Sequence, residues 1–137
     1  MTTYIQAPDP LRPRSRAVHL ALWGLQIALS AAFLGAGSTK LVGMPDMVQI
    51  FDQIGIGQWF RFVTGLIEVA AALALLRPRY AAHAATLLGL TMLCAALTHL
   101  LLIGGSAWPA MVLGAASAVV AIGRRTSAQA PAPAVTN

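Results

Sequence analysis

Long apolar stretches divide the chain into helix-sized segments. The run 17–39 contains no charged residue, and the run 80–123 contains none either. The run 62–76 contains only one, Glu68. Since a transmembrane helix needs about 20 predominantly apolar residues, the longest run has room for two helices. Glycine and proline residues within 104–109 mark the turn between those two.

The apolar segments predict four transmembrane helices. Their expected ranges are about 17–40, 58–76, 80–103 and 107–123. The proline in Arg77-Pro78-Arg79 ends the second helix, because proline disfavours helical geometry in the residue before it. We therefore predict an all-α integral membrane protein, folded as a four-transmembrane-helix bundle.

The segment between the first two helices has a periodicity of its own. Apolar residues recur there at intervals of three and four positions, at Met44, Met47, Phe51 and Ile54. This spacing predicts a short amphipathic helix, which we expect to lie in the outer membrane interface. The alternative is an ordinary extracytoplasmic loop that caps the bundle.

The composition supports a membrane location. Apolar residues make up 58% of the 137 residues and charged residues only 9%, whereas a soluble domain carries about 25% charged residues. These values exclude a soluble globular domain. They also exclude a disordered chain, because disorder needs high charge and low hydrophobicity. The membrane domain is expected at 17–123, flanked by disordered tails at 1–16 and 124–137.

The basic residues predict how the helices are oriented. Most of the nine fall on one side of the predicted membrane: Arg12, Arg14, Arg16, Arg77, Arg79, Arg124 and Arg125. Cytoplasmic loops carry an excess of Lys and Arg, so both termini are predicted to be cytoplasmic. Because these arginines flank membrane segments, anionic lipid accounts for the net charge of +5 and we expect no nucleic-acid partner.

Glu68 is the most informative polar residue, because it falls near the middle of the second helix. A charge at a helix centre costs about 2.5–3.5 kcal/mol on insertion scales, so a partner is expected. Three basic or titratable residues reach the outer half of their helices: Lys40, Arg61 and His99. We predict a polar pocket that binds an anion or the carbonyl of an amphipathic ligand. The alternative is an ion-pair network that only orders the bundle.

The remaining polar residues suggest no catalytic motif. His19 and His83 share a predicted depth, as bis-histidine haem ligation requires, but histidines in a first helical turn are ordinarily wet interfacial residues. We therefore expect neither haem nor a metal site. Cys94 is the sole cysteine and is predicted to be a small packing residue.

Small residues predict close helix packing. They recur at four-residue spacing at Gly24, Ala28, Ala32 and Ala36, at Ala81, Ala85 and Gly89, and at Ala110, Gly114 and Ala118. Helices in lipid associate through such small residues, because they let backbones approach closely. Each stripe is therefore expected to face a neighbouring helix.

Several short motifs, in this order, resemble the DoxX/DoxX-like family of bacterial four-helix membrane proteins. They are Gly37-Ser38-Thr39-Lys40-Leu41, Gly65-Leu66-Ile67-Glu68, Arg77-Pro78 and Met92-Leu93-Cys94-Ala95. The resemblance covers roughly residues 20–122. It implies a multi-pass protein of the bacterial cytoplasmic (inner) membrane and supports Lys40 and Glu68 as family positions. Family members resemble subunits of membrane oxidoreductases, some of them linked to thiosulfate oxidation with quinone as acceptor.

Three functions fit these observations. The first is a membrane subunit that binds a quinone-like or other small amphipathic ligand beside an oxidoreductase partner subunit. In it, Lys40 or Arg61 stabilises an anionic oxygen, and Glu68 or His99 relays protons. The second is a small proton-coupled transporter, working as a homo-oligomer, with Glu68 as its coupling acid. The third is a non-enzymatic membrane scaffold. If the protein takes part in catalysis, we expect an accessory subunit rather than a stand-alone enzyme.

Overall fold

The computed structural model describes residues 16–128, and helices make up almost all of that range. They are α1 (Arg16–Val42), α2 (Pro45–Ile54), α3 (Gln58–Leu75), α4 (Ala81–Thr98) and α5 (Trp108–Ala128). A π-helical turn at His99–Ile103 continues α4. No strand occurs within the described residues. The all-α prediction is therefore confirmed for this part of the chain.

The predicted helix ranges differ from the observed ones mainly at the end of the chain. α5 continues to Ala128, so residues 124–128, expected in a tail, are helical. The prediction ended the helix at the first charge after Gly123, but Arg124 is buried against α1 and the helix passes through it. The rest of the predicted tails, 1–15 and 129–137, lies outside the described residues.

Three helices in the described range are long and apolar enough to cross a membrane: Arg16–Val42, Gln58–Leu75 and Ala81–Ile103. α5 is not among them. Large apolar side chains cover the outside of these helices, including Leu20, Leu66 and Leu90, each more than half exposed. Such a surface is stable against lipid chains and not against water. The chain is therefore a membrane protein.

The four long helices pack in chain order around a small core. α1 packs mainly on α3, and α4 mainly on α5. Contacts between α3 and α4 and between α1 and α5 close the arrangement, leaving α1 and α4 diagonally opposite. The core residues come from all four helices: Leu29, Phe33, Ala72, Leu75, Ala85, Leu88 and Val120. α2 lies across one end, against α1, α3 and the π-helical turn.

The two ends of this arrangement differ in charge. The end where α1 begins, α3 ends, α4 begins and α5 ends is called here the arginine end. It carries Arg16, Arg77, Arg79, Arg124 and Arg125. The opposite end is called the α2 end, after the helix that covers it.

The small-residue stripe predicted for α1 is wrong. Gly24, Ala28 and Ala32 are exposed, and nothing lies within 4 Å of a methyl group placed on Gly24. The close contact occurs instead at Gly37, where such a methyl would lie 2.9 Å from the Gly65 carbonyl oxygen. Larger residues, among them Phe33, fill the rest of the buried face of α1. By contrast, the stripes on α4 and α5 do meet, at Gly89 and Gly114.

Candidate functional site

An ion pair between α1 and α3 lies at the centre of the site. Lys40 Nζ is 2.7 Å from Glu68 Oε2, and the Glu68 side chain is only 1% exposed. Lys40 stands in the last turn of α1, one turn beyond Gly37. Because Gly37 and Gly65 have no side chains, the two backbones approach closely there and bring Lys40 against α3. The predicted partner of Glu68 is thus Lys40.

Arg61 is buried next to this pair but points elsewhere. Its Nη1 donates a hydrogen bond to the Lys40 carbonyl oxygen, and its Nε donates to Gln58 Oε1 at 2.7 Å. The last carbonyl groups of a helix have no partner within the helix, so Arg61 caps the C-terminal end of α1. Gly43, with φ of 79°, makes room for the guanidinium group. Arg61 therefore positions Lys40 and does not line the cavity described below.

Gln58 links this cap to α2. Its Nε2 donates to Asp52 Oδ1 at 2.7 Å and to the Val48 carbonyl oxygen at 2.9 Å. Since its amide oxygen accepts from Arg61, one side chain joins α2, α3 and, through Arg61, α1. These bonds hold α2 over the ion pair.

A cavity of about 220 Å³ lies beneath α2, bounded by α3, α4 and the π-helical turn. Its polar lining consists of Lys40, Thr64, Glu68, Thr91, Thr98 and His99. The apolar lining includes Met47, Ile50, Phe51, Ile54, Phe60, Met92 and Ile103. The hydroxyl groups of the three threonines donate to carbonyls of their own helices, so their oxygens remain able to accept hydrogen bonds. The site thus combines a charged wall with a largely apolar interior.

The predicted amphipathic helix is confirmed as α2. Met47, Phe51 and Ile54 line the cavity, while Met44 precedes the helix and is exposed. Phe51 also packs edge-on against Phe60 of α3, with ring centroids 5.9 Å apart. The apolar face of α2 therefore forms part of the cavity wall.

His99 enters the cavity wall from the π-helical turn. Its Nδ1 lies 3.1 Å from the Gly104 carbonyl oxygen, which favours a proton on Nδ1 and a lone pair on Nε2. Single π-turns inside helices are frequent at functional sites. The structure thus brings three of the four predicted residues to one cavity, Lys40, Glu68 and His99, and places Arg61 outside it.

A second buried polar cluster lies toward the arginine end. Gln26 Nε2 donates to the Leu75 carbonyl oxygen, and Arg124 Nε donates to Gln26 Oε1 at 2.5 Å. The Arg124 guanidinium lies 5.2 Å from the centre of the Trp23 ring. The sequence showed Gln26 as a polar residue inside an apolar run. It gave no sign that Arg124, next to a second arginine, would turn inward.

The other candidate residues lie at the surface. His19 and His83 are both exposed. Cys94 is exposed as well and borders the cavity, so its prediction as a packing residue is wrong. Cys94 lies one turn before Thr98, which also lines the cavity. Among residues 16–128, no cluster of three metal-binding side chains occurs.

Comparison with known proteins agrees with the resemblance seen in the sequence. The model of the DoxX-like family matches residues 24–124. This range contains all of α2, α3 and α4 and most of α1 and α5, and hence every cavity residue. Neither the curated proteins nor the solved structures contain a match.

Proposed function

The chain belongs to the DoxX-like family, and on this premise we propose that it binds the head group of a small amphipathic, quinone-like ligand beneath α2. One observation carries the proposal: the Lys40–Glu68 ion pair forms a wall of a cavity that is otherwise largely apolar. An ion pair that only ordered the helices would be packed on all sides. A charged group inside an apolar cavity instead suits a ligand with one polar and one apolar part.

The proposal includes a topology with four membrane crossings and both termini in the cytoplasm. At 1.5 Å per residue, α5 is about 30 Å long, which matches the hydrocarbon core. It packs antiparallel to α4, with Arg125 bonded to Thr86 and Gly114 opposite Gly89. The arginine end then faces the cytoplasm, following the excess of positive charge there. α2 lies at the outer face of the bacterial cytoplasmic membrane.

Lys40 is suited to bind a ligand oxygen. An ammonium group has three N–H donors, and Glu68 takes one of them at 2.7 Å. A further contact, to the Ala36 carbonyl oxygen, is long at 3.5 Å. A carbonyl or phenolate oxygen placed in the cavity would accept a donor from Lys40. As negative charge develops on that oxygen, the ammonium group stabilises it.

Glu68 and His99, the two groups in the cavity that can exchange protons, would carry out proton transfer. Glu68 touches Lys40 directly, and His99 presents Nε2 from the other wall. Reduction of a quinone consumes two protons. The Glu68 carboxylate and the Nε2 lone pair of His99 are proton acceptors, so each would first take up a proton and then pass it to a quinone oxygen. Electrons would come from an oxidoreductase partner subunit, and this chain would serve as its ligand-binding membrane subunit.

The first experiment identifies what the cavity holds. The protein is purified in mild detergent, and bound small molecules are extracted and identified by mass spectrometry. We expect a quinone-like molecule in stoichiometric amount with the wild type and its loss in Glu68→Gln and Lys40→Ala. Ser30→Ala, which removes a buried polar group outside the cavity, should retain it. Bulk lipid alone in every sample would contradict the proposal.

Cys94 provides a second, independent measurement. It is the sole cysteine and borders the cavity, so its alkylation by N-ethylmaleimide reports on occupancy without any mutation. Added decylubiquinone should slow the alkylation in the wild type and have no effect in Lys40→Ala. Equal rates with and without the quinone would count against a site at this position.

A proton-coupled transporter is the second candidate, because Glu68 is a buried carboxylate paired with a lysine inside a membrane. Transport coupled to protons would require Glu68 to be loaded and unloaded as the cavity changes access. Proton flux into proteoliposomes that depends on Glu68, without any co-purified ligand, would favour this function. A stable complex with a partner protein, with neither flux nor ligand, would favour a scaffold.

A further inference from the structure

Among residues 16–128, no acidic side chain balances the positive charge of the arginine end. Within residues 16–128 the acidic residues are Asp46, Asp52 and Glu68. The first two lie on α2, and the third is bonded to Lys40. No carboxylate among the described residues therefore balances the arginines at the opposite end. Arg124 bonds to Gln26, but Arg79 and Arg125 are exposed.

One face of α4 gathers these charges. His83 and Thr86 lie three residues apart on α4, and Arg79 precedes His83 by four residues in the turn before the helix. His83 and Thr86 lie on one side of α4 because of this spacing. Arg79 stands just before the helix, with its guanidinium 5.8 Å from the centre of the Tyr80 ring. Arg125 of α5 joins them, because its Nη2 donates to Thr86 Oγ1 at 3.0 Å. That bond holds the guanidinium group on this face and uses one of its five N–H donors, while the side chain remains exposed.

The same face continues into apolar surface. Leu87 and Leu90 follow at the next two positions of the stripe, and they are 45% and 57% exposed. The order along the helix from the arginine end is thus basic, then hydroxyl and imidazole, then apolar. A phospholipid has this order of groups, with its phosphate at the surface and its acyl chains deeper.

We propose that this face binds one anionic phospholipid of the leaflet at the arginine end. The phosphate accepts hydrogen bonds from Arg79 and Arg125, His83 contributes a ring N–H, and the acyl chains lie along Leu87 and Leu90. Charge complementarity favours an anionic over a zwitterionic headgroup, because no acidic side chain between residues 16 and 128 lies at this end to receive a choline or ethanolamine. The adjacent leucines favour a lipid over a soluble anion, since a soluble anion gains nothing from apolar surface.

The test measures lipid affinity on the purified full chain in detergent. The protein is titrated with dioleoylphosphatidylglycerol, and binding is measured by native mass spectrometry and by the shift in Tm. Dioleoylphosphatidylcholine and inorganic phosphate are the comparison ligands. We expect one saturable phosphatidylglycerol with a rise in Tm, and neither effect with the other two ligands. Arg79→Gln and Arg125→Gln should each weaken binding about fivefold, because one arginine near an anionic surface contributes about that factor.

Arg16→Gln is the matched control. It removes the same charge from the same end, but on α1, diagonally opposite α4. It should leave the affinity unchanged, and Arg125→Lys, which keeps the charge, should retain most of it. Equal loss in Arg16→Gln would show a diffuse electrostatic effect and overturn the site. Equal binding of phosphatidylcholine, or the same Tm rise with inorganic phosphate, would overturn the choice of ligand.

Discussion

Two buried polar clusters among residues 16–128 bond to the end of a helix: one surrounds the Lys40–Glu68 pair, and the other surrounds Gln26. At the α2 end, Arg61 caps a carbonyl in the last turn of α1. Toward the arginine end, Gln26 and Ser30 bond to carbonyls of Leu75 and Ala72, in the last turn of α3. Buried helix ends need such partners, since their last carbonyls have none within the helix. Capping alone therefore explains polar residues in both places.

What distinguishes the α2 end is the Lys40–Glu68 pair and the cavity beside it. The Gln26 cluster contributes no residue to that cavity. The Gln26 amide bonds to the Leu75 carbonyl oxygen and to Arg124 Nε. The comparison shows that burial of a polar group in a membrane does not by itself indicate function. Access of the polar group to an open volume is the more discriminating criterion.

The largest expected effect comes from breaking the ion pair on one side. Glu68→Ala should lower the free energy of unfolding by about 3–5 kcal/mol, because it leaves the Lys40 ammonium buried without its counter-charge. The double variant Lys40→Met, Glu68→Leu should recover most of that loss, since neither charge remains. Unfolding in detergent micelles, followed by circular dichroism, measures both. A loss below about 1 kcal/mol, typical of an exposed pair, would show that Lys40 reaches water.

The next effect tests the glycine contact that positions Lys40. A methyl group on Gly37 would lie 2.7 Å from Val69 Cγ2 and 2.9 Å from the Gly65 carbonyl oxygen, so Gly37→Ala must push α1 from α3. We expect a loss of about 1–3 kcal/mol. Ligand retention should fall as well, because Lys40 moves with α1.

Gly24→Ala is the matched control for this substitution. A methyl group there meets nothing within 4 Å, and alanine is about 0.8–1.0 kcal/mol more favourable than glycine inside a helix. Its stability should be unchanged or slightly higher. A loss as large as that of Gly37→Ala would mean that the exposed small face of α1 packs against another chain.

The sequence was sufficient to predict the helices and three residues of the cavity, Lys40, Glu68 and His99. Charge-free runs mark the helices, and a lone acid inside such a run, Glu68, stands out together with the lysine that ends the first run. The amphipathic spacing of α2 is also visible, because one of its faces is polar. These features can be predicted from the sequence because each is a polar residue or a polar face within an otherwise apolar segment.

The parts that could not be predicted lack such contrast. In lipid both faces of a helix are apolar, so hydrophobic periodicity does not show which side of α1 is buried. Small residues occur on both of its sides, and the exposed set had the more regular spacing. The direction of a long side chain is equally invisible, since an arginine can extend outward or fold inward from the same position. Arg61 and Arg124 both fold inward and are buried.

A smaller loss of stability is expected for Gln26→Leu, which tests whether the Gln26 cluster affects ligand binding. Gln26→Leu removes two bonds, to the Leu75 carbonyl and to Arg124, and hydrogen bonds between membrane helices contribute about 0.6 kcal/mol each on average. The free energy of unfolding should fall by about 1 kcal/mol, while ligand retention stays at the wild-type level. Loss of ligand in a folded Gln26→Leu protein would mean that the two clusters are coupled, and that the Gln26 cluster is not purely structural.

The smallest expected effect isolates capping from all other contributions. Ser30 donates one hydrogen bond, to the Ala72 carbonyl oxygen at 2.8 Å. That carbonyl would ordinarily accept from the Leu76 N–H, which bonds instead to Leu73. Ser30→Ala should cost about 0.6 kcal/mol, the average for a hydrogen bond between membrane helices. Because serine and alanine differ little in volume, packing stays the same. A loss near zero would show that the last turn of α3 re-forms its own hydrogen bond when the hydroxyl is removed.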